Sequence, residues 1–247
     1  FPYEKYFDED SRKIAIACYY GMVSLLDHNI GILLNTLKKL GLSDNTRIIY
    51  TSDHGELLGN HGMWGKMCFH EESVAIPFIA SGNDIPKGKK ENAPISLVDM
   101  YQTFHDSLGA NFANDSELPG QSIYKTLENP NYFRPILSEY HAAGSITGGF
   151  MLKKGDYKFI HYEGLNPQLF DLKNDVQELN DLGTNPSYSK IIDELYNELQ
   201  SIVDTKVTSE KAFADQKIKI NKFGGREKIL SLGDFGYSPA PVGNTKN

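Results

Sequence analysis

Cysteine is nearly absent. The 247 residues include two, Cys18 and Cys68, too few for a disulfide framework to hold the fold. No run of about 18 apolar residues occurs, so no segment reads as a membrane-spanning helix. Basic residues do not predominate either: 25 lysines and arginines against 32 acids leave a net charge of -7. That balance excludes the basic footprint of non-specific nucleic-acid binding. It does not exclude an anionic substrate, because one bound cation reverses the local field. An initiating methionine is missing as well. The chain opens on Phe1 and reads as a fragment, so the lack of a targeting signal carries no weight. What remains is an ordinary globular balance, 40% hydrophobic and 23% charged, at a length suited to one large domain with an appendage.

The most informative stretch runs from Thr46 to Lys66. The β-branched, apolar run Ile48-Ile49-Tyr50-Thr51 predicts a buried strand, and it stops at Asp53, His54 and Gly55. Functional groups of open α/β sheets collect just past the carboxyl ends of strands. Asp53 offers a hard oxygen donor and His54 a nitrogen donor, both within reach of one cation. A glycine-rich loop with His61 and Trp64 follows and ends in Lys66. A metal and a lysine at one point suit a tetrahedral oxyanion such as sulfate or phosphate. Taken alone, Asp-His-Gly equally suits an ordinary turn capped by Asp53, with Lys66 solvated.

The longer pattern is more specific. Ser52-Asp53-His54-Gly55, Leu58-Gly59, His61-Gly62, Trp64-Gly65-Lys66, Glu72-Ser73 and Ile76-Pro77 together resemble the second half of a type I sulfatase of the alkaline-phosphatase superfamily, nearest to choline-sulfatase-like and polysaccharide-sulfatase-like members. The resemblance implies an α/β fold: part of an alkaline-phosphatase-like sheet flanked by helices over 1–130, then a small antiparallel sheet plus helix over 131–206. It implies a formylglycine nucleophile and a divalent cation, Ca2+ foremost, with Mn2+ or Mg2+ as alternatives. Asp53 and His54 fall on the metal pair. Lys66 falls on the catalytic lysine that contacts a sulfate oxygen near the leaving group.

His61 and Trp64 are expected to touch substrate, although each also suits a packed loop position. Glu139 and His141, at the end of a later strand, are candidates to close the pocket from the other side; a solvated strand end is the plainer reading. A nitrogen ligand at His54 slightly favours a softer ion than calcium. The departure from the family pattern is an absence: no C-x-P-S-R sequence occurs. The nucleophile is therefore expected from a missing N-terminal half, and this chain alone is expected to be inactive. The implied substrate is a small-molecule or saccharide sulfate ester. The alternatives are a phosphonate or phosphodiester hydrolase and a non-catalytic sulfatase-like scaffold.

The rest of the chain fits this frame. Asp8 to Ser11 supply an N-cap and first-turn acids. Apolar residues at Ile14, Cys18, Met22, Leu25, Leu33 and Leu37 predict a long helix packed on a sheet, capped at Gly41. On that stripe Cys18 is expected to be buried. Ile76 to Ala80 predicts a second strand, and Ser96 onward a helix ending near Gly109. Phe150, Tyr157 to Tyr162 and Gln168 to Leu172 predict a meander with a hairpin turn at Gly155-Asp156, followed by a helix over 188–203. Residues 207–247 read as an extended tail suited to clasping a second subunit.

Overall fold

A computed structural model describes residues 8–82, 85–109, 118–129, 134–142 and 145–233. The aromatic opening segment, residues 1–7, and the last residues of the expected tail, 234–247, lie outside the described residues.

The first helix, α1 (Glu9–Lys39), begins where the Asp8 carboxylate accepts the Ser11 amide at 2.8 Å. Lys38 and Lys39 complement its C-terminal dipole. Its apolar stripe is present but uncovered: α1 has no buried residue, and Cys18 is exposed. The expectations of sheet packing and of a buried Cys18 are corrected on this point. The nearby strands explain why. Among the described residues, β1 (Ile48–Thr51) pairs only with β2 (Phe78–Ser81), antiparallel, from Ile48↔Ser81 to Thr51↔Phe78. A two-stranded ribbon offers too little apolar face to bury a 31-residue helix.

Between these strands lies a single helical turn, α2 (Glu71–Val74). Then come α3 (Asp99–Leu108), which stops at Gly109, and α4 (Ile123–Glu128). Asp99 is fully buried. Its carboxylate accepts the amides of Ser96 (2.7 Å) and Gln121 (2.9 Å) and pairs with Arg134. A buried carboxylate satisfied this way ties α3 to the chain entering the next sheet.

That sheet is an antiparallel meander of β3 (Ile136–Tyr140), β4 (Gly149–Lys154), β5 (Tyr157–Tyr162) and β6 (Gln168–Asp171), in sequential order. Alternation divides its side chains between two faces. Phe150, Leu152, Phe159 and Leu169 face α5 (Ser189–Ile202), which contributes Leu195 and Leu199. Met151, Ile160 and Phe170 face the other way and meet Phe69 from the loop before α2. The second face of the sheet thus carries the segment that contains the candidate site.

The expected tail is corrected. Residues 205–222 form α6 (Thr205–Lys222), and α7 (Arg226–Ser231) follows. Asp204 caps α6 by accepting the Val207 amide at 3.0 Å. The helix clasps its own sheet: Gly148 donates its amide to Ser209 Oγ at 3.1 Å, and Gln216 donates to the His141 carbonyl. Its buried residues, Thr205 and Ser209, are polar. An apolar stripe is therefore missing, and periodicity gives no sign of the helix.

Candidate functional site

The site is built where β1 runs out. Ser52 Oγ donates to the His54 carbonyl at 2.8 Å, and the His54 amide donates to Asp53 Oδ1 at 3.0 Å. These short-range bonds turn the chain sharply and set both side chains at the strand edge. His54 Nδ1 lies 2.8 Å from the Gly55 carbonyl. A carbonyl only accepts, so Nδ1 carries the hydrogen, and in the neutral ring Nε2 keeps its lone pair. Nε2 lies 3.2 Å from Asp53 Oδ2 and contacts Lys66 Nζ. Desolvation works against the Asp53 carboxylate. Backbone amides, the neighbouring His54 and the Ser52 hydroxyl outweigh it and hold the carboxyl below its ordinary range.

Lys66 returns to this point because the intervening loop closes on itself. Glu56 Oε1 accepts the Gly65 amide at 2.6 Å and the Leu58 amide at 3.3 Å. The Leu57 amide donates to the Gly65 carbonyl at 3.0 Å, and the Leu57 side chain is buried. Beyond the loop, Ser73 in α2 holds both sides of the site. Its hydroxyl donates to the Lys66 carbonyl at 2.6 Å, and its carbonyl accepts the Gly55 amide at 2.8 Å. Asp53, His54 and Lys66 line a cleft of about 630 Å³ that Ser138, Tyr140 and Met151 of the sheet also line.

The structure thus gathers Asp53, His54 and Lys66 around one cleft; Glu139 lies in the strand that borders it, but alternation turns its carboxylate to the Phe150 face of the sheet, where it pairs with His141. It does not bring the other candidates to it. His61 stacks on His70, with centroids 3.8 Å apart and planes 8° apart, and its Nε2 lies 3.6 Å from Glu72. The Trp64 ring lies over Gly59. His141 stands behind Glu139, 3.0 Å from its carboxylate, with its ring edge-on to Phe150. Cys68 does line the cleft. Burial pushes its thiol up, which disfavours the thiolate a nucleophile needs.

The donor set suits part of a cation site. An exposed carboxylate and an imidazole with its tautomer set by a carbonyl are a matched pair of ligands. Among the described residues no group of three or more histidine, cysteine or acidic side chains could hold a metal ion. A cation held by this pair would need its remaining ligands from outside the described residues.

Sequence reasoning missed Glu56, Lys158 and Glu178, and it quoted Ser73 in the family pattern without a role. Lys158 left one trace, a lysine inside the otherwise apolar run Tyr157 to Ile160. The others become visible only through their partners.

Comparison with known proteins gives the family. The Sulfatase family matches residues 2–110, and the family described as N-sulphoglucosamine sulphohydrolase, C-terminal, matches residues 59–205. Arylsulfatase K of Mus musculus is 35% identical over 210 residues, covering 80% of this chain and 37% of its own length. The structure of BT4656, solved with its substrate D-glucosamine-2-N,6-O-disulfate, is 30% identical with a TM-score of 0.67, over 78% of this chain and 40% of that one. The phosphonate monoester hydrolase of Agrobacterium radiobacter is 25% identical with a TM-score of 0.70, over 79% of this chain and 42% of that one. The chain spans well under half the length of each of these relatives.

Proposed function

The chain belongs to the sulfatase family, and from that premise we propose that it forms the metal-and-lysine side of a centre that hydrolyses sulfate monoesters to an alcohol and sulfate. The observation that carries this reading is the convergence of Asp53 Oδ2, His54 Nε2 and Lys66 Nζ at the edge of one cleft. The nucleophile, a formylglycine in this reading, belongs to sequence outside this chain.

Asp53 and His54 would hold a divalent cation, Ca2+ foremost, with Mn2+ or Mg2+ as alternatives. When bound, the cation supplies Lewis-acid polarisation of the sulfate oxygens. Lys66 places an ammonium where a sulfate oxygen near the leaving group would lie, and it neutralises charge there as the S–O bond breaks. A sulfated saccharide is the substrate class favoured, because BT4656, to which this chain is similar, acts on a sulfated glucosamine.

The test uses the complete protein that carries this chain, with 4-nitrophenyl sulfate and 4-nitrophenyl phenylphosphonate as substrates. Sulfate release faster than phosphonate cleavage, together with a bound divalent ion that Asp53→Ala loses, is the expected result. Metal content unchanged by Asp53→Ala would overturn the site. Faster phosphonate cleavage would favour the second reading, a phosphonate monoester hydrolase, which the nitrogen donor of His54 and the Agrobacterium structure support.

A further inference from the structure

The face of the C-terminal sheet that meets the site segment carries a buried ion cluster that the functional reading leaves unexplained. Lys158, the second residue of β5, is fully buried. Its ammonium meets three acceptors: the Phe69 carbonyl at 2.9 Å, Glu71 Oε1 at 2.6 Å and Glu178 Oε1 at 2.8 Å. The first is a hydrogen bond and the other two are close ion pairs, so one buried ammonium faces two carboxylates and a carbonyl. Glu178 also has no side-chain exposure, and its Oε2 accepts the Glu71 amide at 2.6 Å. Its backbone adopts φ 53, a left-handed conformation uncommon outside glycine. An isolated charge would not stay ionised in such a place, so the cluster holds together only as a paired unit.

What the cluster grips is the first residue of α2 and the two residues before it. Two residues further on, Ser73 holds the Lys66 carbonyl and the Gly55 amide. A short, rigid path therefore runs from the C-terminal sheet through α2 to the lysine of the site and to the residue after His54. An apolar residue at position 158 would bury its side chain equally well but could not fix the Phe69 carbonyl and the start of α2 in direction.

We propose that Lys158 and Glu178 are positioning residues that set the place of Lys66 through α2, so that the C-terminal sheet tunes catalysis without touching substrate. This inference rests on the functional reading given above. Lys66 is the group through which the two act. Their effect must then depend on Lys66 being present, whereas loss of general fold integrity must not.

The experiment is a double-mutant cycle in the complete enzyme with 4-nitrophenyl sulfate, rates being referred to folded protein. Lys158→Met is expected to lower kcat/KM by about tenfold or more, as displacements of reacting groups do. In a Lys66→Ala background the same change is expected to cost less than about twofold. Glu178→Gln is isosteric, keeps an acceptor for the Glu71 amide, and provides the cycle if Lys158→Met does not accumulate. Lys66→Arg replaces Lys66→Ala as the background if the alanine variant is too slow to follow. Equal fold-losses in both backgrounds, or no loss with Lys66 intact, would overturn the proposal. Full activity in Lys66→Ala alone would instead overturn the functional reading beneath it.

Discussion

Substituting Gly55 tests the site through its tightest backbone contact. A Cβ at Gly55 would stand 2.0 Å from the Glu72 carbonyl oxygen and 3.0 Å from its carbon. Both belong to backbone, so no side-chain rotation relieves the clash. Restoring even a 3.0 Å approach requires the turn after β1 and α2 to separate by about 1 Å, and the 2.8 Å bond from Gly55 to Ser73 lengthens with it. The two pieces that part carry Asp53 and His54 on one side and the Ser73 anchor of Lys66 on the other. A misplacement of about 1 Å costs on the order of 100-fold in rate, and overpacking a tight contact costs about 1–3 kcal/mol of stability. Gly183 supplies the control: a Cβ there would stand 2.1 Å from the Pro167 carbonyl oxygen, against the strand that becomes β6. Gly55→Ala and Gly183→Ala are expected to lose similar stability in urea denaturation of the complete enzyme. Only Gly55→Ala is expected to lose about 100-fold in kcat per folded molecule. Equal kcat values for the two variants would refute the argument that this contact sets the site.

Three further outcomes follow from the same contacts. Lys66→Ala removes an exposed ammonium; kcat is expected to fall about 100- to 1,000-fold with little change in melting temperature, and a large melting change with intact kcat would contradict the role given to it. Leu199→Ala empties a fully buried position between α5 and the sheet and is expected to cost about 2–5 kcal/mol by urea denaturation; a cost below about 1 kcal/mol would show that the pocket collapses freely. Glu178 gives a pH dependence. Desolvation opposes its charge, but His70, Lys158 and the Glu71 amide hold its carboxyl below the ordinary value of 4.5. The unfolded chain then binds the extra proton, so this stabilisation is complete above that value and fades as pH falls through the lowered one. The melting-temperature gap between wild type and Glu178→Gln is expected to close on acidification from about pH 7 to pH 3; a gap that widens would reverse the sign.

Much of the architecture was legible from residues close together in the chain. Asp8 and the first-turn acids mark the start of α1. Ile48 to Thr51 followed by Asp53-His54 marks a strand that ends in an acid and an imidazole, and Gly155-Asp156 marks the turn between β4 and β5. Each signal is a local matter of capping, alternation or turn geometry. The contact between Lys66 and His54 spans 12 residues, and the glycine-rich loop between them supplies the reversal.

The sequence by itself determined that a strand would deliver a carboxylate and an imidazole to one edge and that a lysine could return to them. It also determined which faces of α1 and α5 are apolar. Only the tertiary structure decided what those faces meet: α5 finds the meander, and the stripe of α1 finds no partner among the described residues. It also sent His61 to His70 and His141 behind Glu139, and it joined Lys158 to Phe69 and Glu178 to Glu71 across 89 and 107 residues. The physical reason is the same in each case. Periodicity records that a side chain will leave water, but the partner of a buried charge or ring is set by which distant segments the packed sheet brings within a few ångströms.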